Sequence, residues 1–212
     1  MQTVKVTDYL VMQTLDWVYE KVASGIAGMD TASAMATHYI SKSDSRLSAA
    51  KALIRRQNLK AGSSGFITGL GGAISMPITI PLNLASVMYI QIRMIAAIAI
   101  IGGYDLRDQK VKSLIFVCLA GNFAKDLIKE AGIAAGTRIT SKLISNISED
   151  TLKSISKKTG IVLATKSGKK GMVNLSKVVP IAGGLIAASI DALATNLVGK
   201  IAIRTFIYDT EE

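Results

Sequence analysis

Apolar positions recur in this chain at a spacing near 3.6 residues, and no stretch shows the alternation of two that marks a half-buried strand. Val11, Leu15, Val18 and Val22 stand at i, i+4, i+7 and i+11, behind Thr7-Asp8 and ahead of Gly25, which predicts an amphipathic helix over about 8–24. Asp30 as an N-cap predicts a short second helix to about Ile40. The Ser43-Asp44-Ser45 start predicts a third to about Lys60, stopped by Gly62. Pro81 has the fixed φ of a first helical turn and predicts a long helix through Ile101, closed by Gly102-Gly103. Asp105 is the expected cap of the next helix, which carries Val111, Leu114, Ile115 and Cys118 on one side. A helix over about 121–146 follows, then a short one capped by Ser148 and ended by Gly160, an exposed loop over about 160–176, and a last helix from Pro180 to about Tyr208. The predicted class is all-α, a compact helical bundle around a very hydrophobic central helix.

Charge is absent from Ala61 to Ile92. Gly65, Thr68, Gly69, Gly71 and Gly72, with Pro77 and Pro81, predict a tight, apolar Gly/Pro-rich hairpin in which backbones approach closely. The helix behind it is long enough to cross a bilayer, since ~20 residues at ~1.5 Å each span ~30 Å of hydrocarbon. Arg93 stands in its middle, and a central Arg costs ~3 kcal/mol against a gain of only ~0.3–0.6 per Ile or Leu. Two readings stay open at this point, insertion into a membrane and burial inside a bundle. The second requires an answer to the charge. Asp191, the one acid between Asp150 and Asp209, is isolated in Leu185-Ile-Ala-Ala-Ser-Ile-Asp-Ala-Leu-Ala194, where a lone carboxylate is costly. The expectation is a buried polar centre in which Arg93 and Asp191 pair, or share a network with Asn83 and Gln91.

Composition narrows the setting. The chain of 212 residues shows no compositional break and reads as one domain, 1–212. A net charge of +10 accompanies a mean hydropathy of +0.39. A chain both apolar and basic is suited to a surface that is both apolar and anionic, as an acidic-lipid membrane is. Residues 151–190 carry seven Lys and no acid. Lys153, Lys157, Lys158, Lys166, Lys169 and Lys170, with Arg55 and Arg56, are therefore the expected phospholipid head-group ligands. Eighteen Lys to seven Arg with 5% aromatics argues against specific nucleic-acid readout, which favours Arg forks and stacking rings. One cysteine, Cys118, and one histidine, His38, exclude an internal disulfide and a Cys- or multi-His metal site. No cofactor or metal is expected. The polar first ten residues contain no signal-like apolar run, so the expected location is cytoplasmic, at or partly in the inner face of the cell membrane.

Catalytic patterns are weak. There is no Gly-x-Ser-x-Gly elbow and no P-loop. Ser48-Ala-Ala-Lys51 and Ser154-Ile-Ser-Lys157 match Ser-x-x-Lys, a pattern that i, i+3 neighbours on an exposed helix explain as well. The run Gly65-Phe-Ile-Thr68-Gly69-Leu-Gly71-Gly72 with Pro77 and Pro81, then Gln91-Ile-Arg93-Met94, Gly102-Gly103-Tyr104-Asp105-Leu106, and Pro180-Ile-Ala-Gly183-Gly184 with Asp191 and Phe206, resembles the EcsC protein family of bacteria. The similarity covers most of 45–208 and leaves the first 30 residues, with their helix, outside. It implies association with membranes, or action beside membrane transport or secretion machinery, and brings no catalytic residue with it. The function expected is non-enzymatic binding to an anionic phospholipid surface. The alternatives are a lipid hydrolase built on the Arg93 and Asp191 centre, and a membrane-perturbing effector that uses the hairpin.

Overall fold

The computed structural model describes residues 8–26, 29–61, 82–130, 132–133, 141–171 and 180–207, and the side chains of all these except 8, 60–61, 82–86, 141, 166–171 and 180–192. The described residues form helices α1 (Asp8–Ser24), α2 (Ala32–Ile40), α3 (Arg46–Ala61), α4 (Leu82–Ile101), α5 (Gln109–Leu119), α6 (Ala124–Glu130), α7 (Ser141–Ser145), α8 (Glu149–Gly171) and α9 (Pro180–Phe206). A 3₁₀ turn, Gly121–Phe123, leads into α6. No strand occurs among them beyond an isolated bridge between Ile26 and Met29. The class is all-α, as the periodicity predicts. The Gly/Pro hairpin, 62–81, lies outside the described residues.

Two predicted caps are corrected. Thr31, not Asp30, caps α2: its hydroxyl accepts from the Ala34 N–H at 3.0 Å, while the Asp30 carbonyl accepts from Arg93. Asp108, not Asp105, caps α5 by accepting from the Lys110 N–H at 2.8 Å. Asp105 instead accepts from the backbone and guanidinium of Arg107, and those hydrogen bonds hold its carboxyl below the usual carboxylate range.

The helix predicted over 121–146 is broken. The Gly132 N–H donates to Lys129 and the Ile133 N–H to Ile128, with Gly132 at φ +77° and Ile133 buried. This is a Schellman stop, and it ends α6 at Glu130. The helix predicted to end at Gly160 continues to Gly171, so the expected loop over 160–176 is helical as far as that residue. A glycine inside a helix costs only ~1 kcal/mol relative to Ala, and Ile155, Thr159, Gly160 and Leu163 are all buried on the face that packs on α1 and α5.

Helix α4 is the centre. α1, α2, α3, α5 and α9 all pack against it, and from Met88 to Ile101 only Gln91 and Ile100 escape full burial. Its uniform hydrophobicity reflects coverage on every side by protein. Among the described residues no helix is long and apolar enough to cross a membrane. A second Schellman stop closes α4, with Gly103 at φ +90° donating to Ile100 and the Tyr104 N–H donating to Ala99.

The same corner sets helix directions. Arg46 at the start of α3 donates to the Gly102 carbonyl at 3.3 Å, and a Cβ built on Gly102 would meet the Phe206 carbonyl at the end of α9. Helix α3 therefore runs antiparallel to both α4 and α9. Midway along, Gly199 of α9 lies so close to Ile54 that an added Cβ would stand 2.7 Å from its Cγ1. That contact fixes the register of the α3 and α9 pair.

Candidate functional site

The two isolated charges of the sequence have different fates. Arg93 is buried, 3% exposed. Its Nη1 donates to the Asp30 carbonyl at 3.2 Å, its guanidinium carbon lies 5.2 Å from the Tyr89 ring centre, and its Nε has no hydrogen-bond partner among the described residues. The helical spacing of four residues places Tyr89 under the guanidinium, so the cation rests on the ring's negative face. Burial raises the pKa of the Tyr89 phenol against the opposing pull of Arg93, and the nearby charge of Asp30 adds to the rise. Gln91 is half-buried. Asp191 lies on α9, which packs on α4, but its side chain and that of Asn83 are outside the described residues, and so is the predicted pairing of Arg93 with Asp191. The visible role of Arg93 is to fasten the segment before α2 to the central helix.

A basic surface cleft lies between α3 and α9. The cleft, of about 430 Å³, is walled by Lys51, Ile54, Arg55 and Asn58 of α3 and by Asn196, Lys200, Ile203 and Arg204 of α9. Among the described residues four cations line it and no acid does. Lys51 and Arg55 are one helical turn apart, as are Lys200 and Arg204, so each helix presents a basic pair to the same groove. Gly199 allows the walls to approach. Ile54, 5% exposed, and half-buried Ile203 form an apolar floor.

Both stripes change character along their length. On α3 the row Lys51, Arg55 continues to Leu59, 74% exposed; on α9 the row Arg204, Lys200 continues back to Leu197, 37% exposed, and Leu193, 70% exposed. Because the helices are antiparallel and Ile54 sits at Gly199, Leu59 comes level with about residue 194. The three leucines therefore share one end of the face and the four cations the other. The chain leaves α3 at Ala61 and enters α4 at Leu82 on the leucine end, so the uncharged segment 62–81 is tethered there.

The predicted head-group residues divide accordingly. Arg55 lines the cleft. Arg56 turns toward α2, where its charge opposes the burial that raises the pKa of Tyr39. Lys153 and Lys157 are exposed on α8, beside Glu149 and Asp150 in its first turn. Lys158 is engaged by Glu130 at 2.6 Å, which half neutralises that patch. Lys166, Lys169 and Lys170 lie on α8, with side chains outside the described residues. The sequence reading missed Lys200, Arg204, Asn58 and Asn196. The usable signal was two basic pairs at i, i+4, Lys51/Arg55 and Lys200/Arg204, one on each of two helices.

Reactive groups elsewhere are quiet. Cys118 is fully buried beside the Thr205 hydroxyl, and burial pushes its thiol up to about 12. Among the described residues no group of His, Cys, Asp and Glu is arranged to hold a metal ion.

These features define an all-α protein with a sealed apolar centre and one face that joins a basic cleft to exposed leucines. The chain belongs to the EcsC protein family, whose model matches residues 5–208. The match takes in α1, which carries none of the motifs quoted above and which the sequence resemblance left outside. No curated protein and no solved structure matches the chain.

Proposed function

We propose that this protein is a non-enzymatic helical module that associates peripherally with an anionic phospholipid surface through its α3 and α9 face. One observation carries the reading: Lys51, Arg55, Lys200 and Arg204 line one cleft in which no described residue is acidic, and the helical spacing of three or four residues continues their rows to exposed Leu59, Leu197 and Leu193. Basic residues near an anionic membrane contribute about 1 kcal/mol each, and apolar side chains that reach the acyl boundary add burial. The burial of α4 favours surface contact over spanning. A place on the cytoplasmic side, beside transport or secretion machinery, agrees with the character of the family.

The test is co-sedimentation with vesicles of phosphatidylcholine alone or with one-third anionic lipid, at low and high salt. Binding is expected only with anionic lipid, falling at least tenfold between 50 and 500 mM salt as the cations are screened. Lys158→Gln is expected to leave binding within twofold, since Glu130 already occupies that ammonium, whereas Arg55→Gln with Lys200→Gln should weaken it about thirtyfold, at about 1 kcal/mol for each charge removed. Equal binding to neutral vesicles, or a larger loss from Lys158→Gln, contradicts the proposal.

A further inference from the structure

We infer that the α3 and α9 cleft is a site for a dianionic phosphate group, a phosphomonoester, and not merely a patch of diffuse positive charge. The inference rests on the membrane-surface reading for its setting but on the cleft's own chemistry for its content.

The first argument is charge balance. Lys51 with Arg55 and Lys200 with Arg204 are like-charged neighbours on the same helix turn, an arrangement that is mildly unfavourable in an isolated helix. The packing of Ile54 on Gly199 then brings both pairs to one groove. Among the described residues no carboxylate on the walls relieves the repulsion. Three cations elsewhere on the described surface are paired: Arg107 with Asp105, Lys112 with Asp16 and Lys158 with Glu130. A ligand of charge −2 supplies what the walls lack.

The second argument is shape. Arg55 and Arg204 stand on opposite walls, and a guanidinium fork binds phosphate oxygens in a planar, bidentate manner that an ammonium cannot. The two lysines then add point charges, and the amides of Asn58 and Asn196 offer both donors and acceptors to hydroxyl groups carried on the same ligand. The volume, about 430 Å³, admits a phosphate with a small polyol but not two acyl chains. Any chains would have to leave along the apolar end of the face, past Leu197 and Leu193. A phosphodiester head group offers one negative charge and two free oxygens, and engages the same four cations less completely.

The phosphate has two possible sources, a lipid head group or a soluble phosphate ester, and the experiment separates them. Vesicles containing phosphatidic acid are compared with vesicles containing phosphatidylserine, the contents adjusted to equal surface potential, alongside calorimetric titration with free glycerol 3-phosphate. The inference predicts at least tenfold tighter binding to phosphatidic acid at equal potential. It also predicts that Arg55→Gln combined with Arg204→Gln abolishes the preference, leaving binding to both vesicles equal and, for phosphatidylserine, about thirtyfold weaker than in the unsubstituted protein, at about 1 kcal/mol for each charge removed. Thermal melts of the variants check folding, and both positions are exposed. Equal affinity for the two vesicles, with no calorimetric signal from glycerol 3-phosphate, overturns the phosphate site and leaves the membrane reading standing. Binding of glycerol 3-phosphate that the double variant loses, in a protein that sediments with no vesicle, upholds the site, assigns it to a soluble ester and removes the membrane reading. Displacement by an oligonucleotide at the concentration that glycerol 3-phosphate requires would overturn the inference in favour of a polyphosphodiester.

Discussion

Gly102→Ala is expected to cost about 3 kcal/mol of stability and to lower the melting temperature by roughly 6–12 °C for a domain of this size. A methyl group there would stand 2.1 Å from the Phe206 carbonyl oxygen and 3.0 Å from its carbon. Both are backbone atoms, so no side-chain rotation makes room. The carbonyl is itself anchored: Phe206 is fully buried, its ring packs edge-on to Tyr104 at 5.4 Å between centres, and the Ile207 N–H behind it donates to Ile203. Either the end of α4 or the end of α9 must move away, and with it the corner that aligns three helices. Gly103→Ala is the useful comparison. Gly103 has φ +90°, and a Cβ there would make only ordinary contact, with Arg46 Nη1 nearest at 3.7 Å, so the change carries only backbone strain, roughly 1–2 kcal/mol. Thermal denaturation of the two variants should rank Gly102→Ala as clearly the worse; equal melting temperatures would show that the corner is loosely packed.

Reversing the charge at the centre should be the second large effect. Arg93→Glu places a carboxylate where a guanidinium now donates to the Asp30 carbonyl and rests on Tyr89. The new charge would face a carbonyl oxygen and the negative face of a ring, in a site 3% exposed. Leaving a buried charge uncompensated costs about 3–5 kcal/mol, enough to unfold a domain of ordinary stability. Arg93→Met keeps most of the volume and removes one hydrogen bond, so its cost should stay near 1–2 kcal/mol. Chemical denaturation of both variants checks this order. A freely hydrated guanidinium would make the two substitutions nearly alike.

The periodic pattern carried the helices well, because burial in a bundle writes directly into a spacing of 3.6. It carried their ends less well. Gly132-Ile133 and Gly160-Ile161 are the same dipeptide, yet the first stops α6 and the second lies within α8. Ile133 is 4% exposed and can fold back on Ile128, whereas Ile161 is 46% exposed and has nothing to gain from a stop, while Gly160 is itself buried. For the two wrong caps, Asp30 and Asp105 are as good locally as Thr31 and Asp108; Arg107 engages the Asp105 carboxylate and so leaves the cap to Asp108, while the choice of Thr31 over Asp30 has no structural explanation.

The candidate site was legible only in halves. Arg55 stands in an evident basic cluster, and Lys200 and Arg204 form a visible pair, but nothing local says that residues 51–58 and 196–204 face each other. That depends on the contact of Gly199 with Ile54, a property of packing. The longest lysine tract drew attention by its density, yet density is not availability: Lys158 is held by Glu130, and the start of α8 supplies two further acids.

The most direct measurement uses the inertness of Cys118, whose buried thiol will not compete for label. A single cysteine is introduced by Leu193→Cys on the proposed contact face, or by Ser154→Cys on the exposed side of α8, and coupled to an environment-sensitive fluorophore. On addition of anionic vesicles the account predicts a blue shift and a gain in intensity at position 193, and no change at position 154. A response at 154 with none at 193, in protein that sediments with the vesicles, would place the membrane on the wrong side of the molecule and contradict the account.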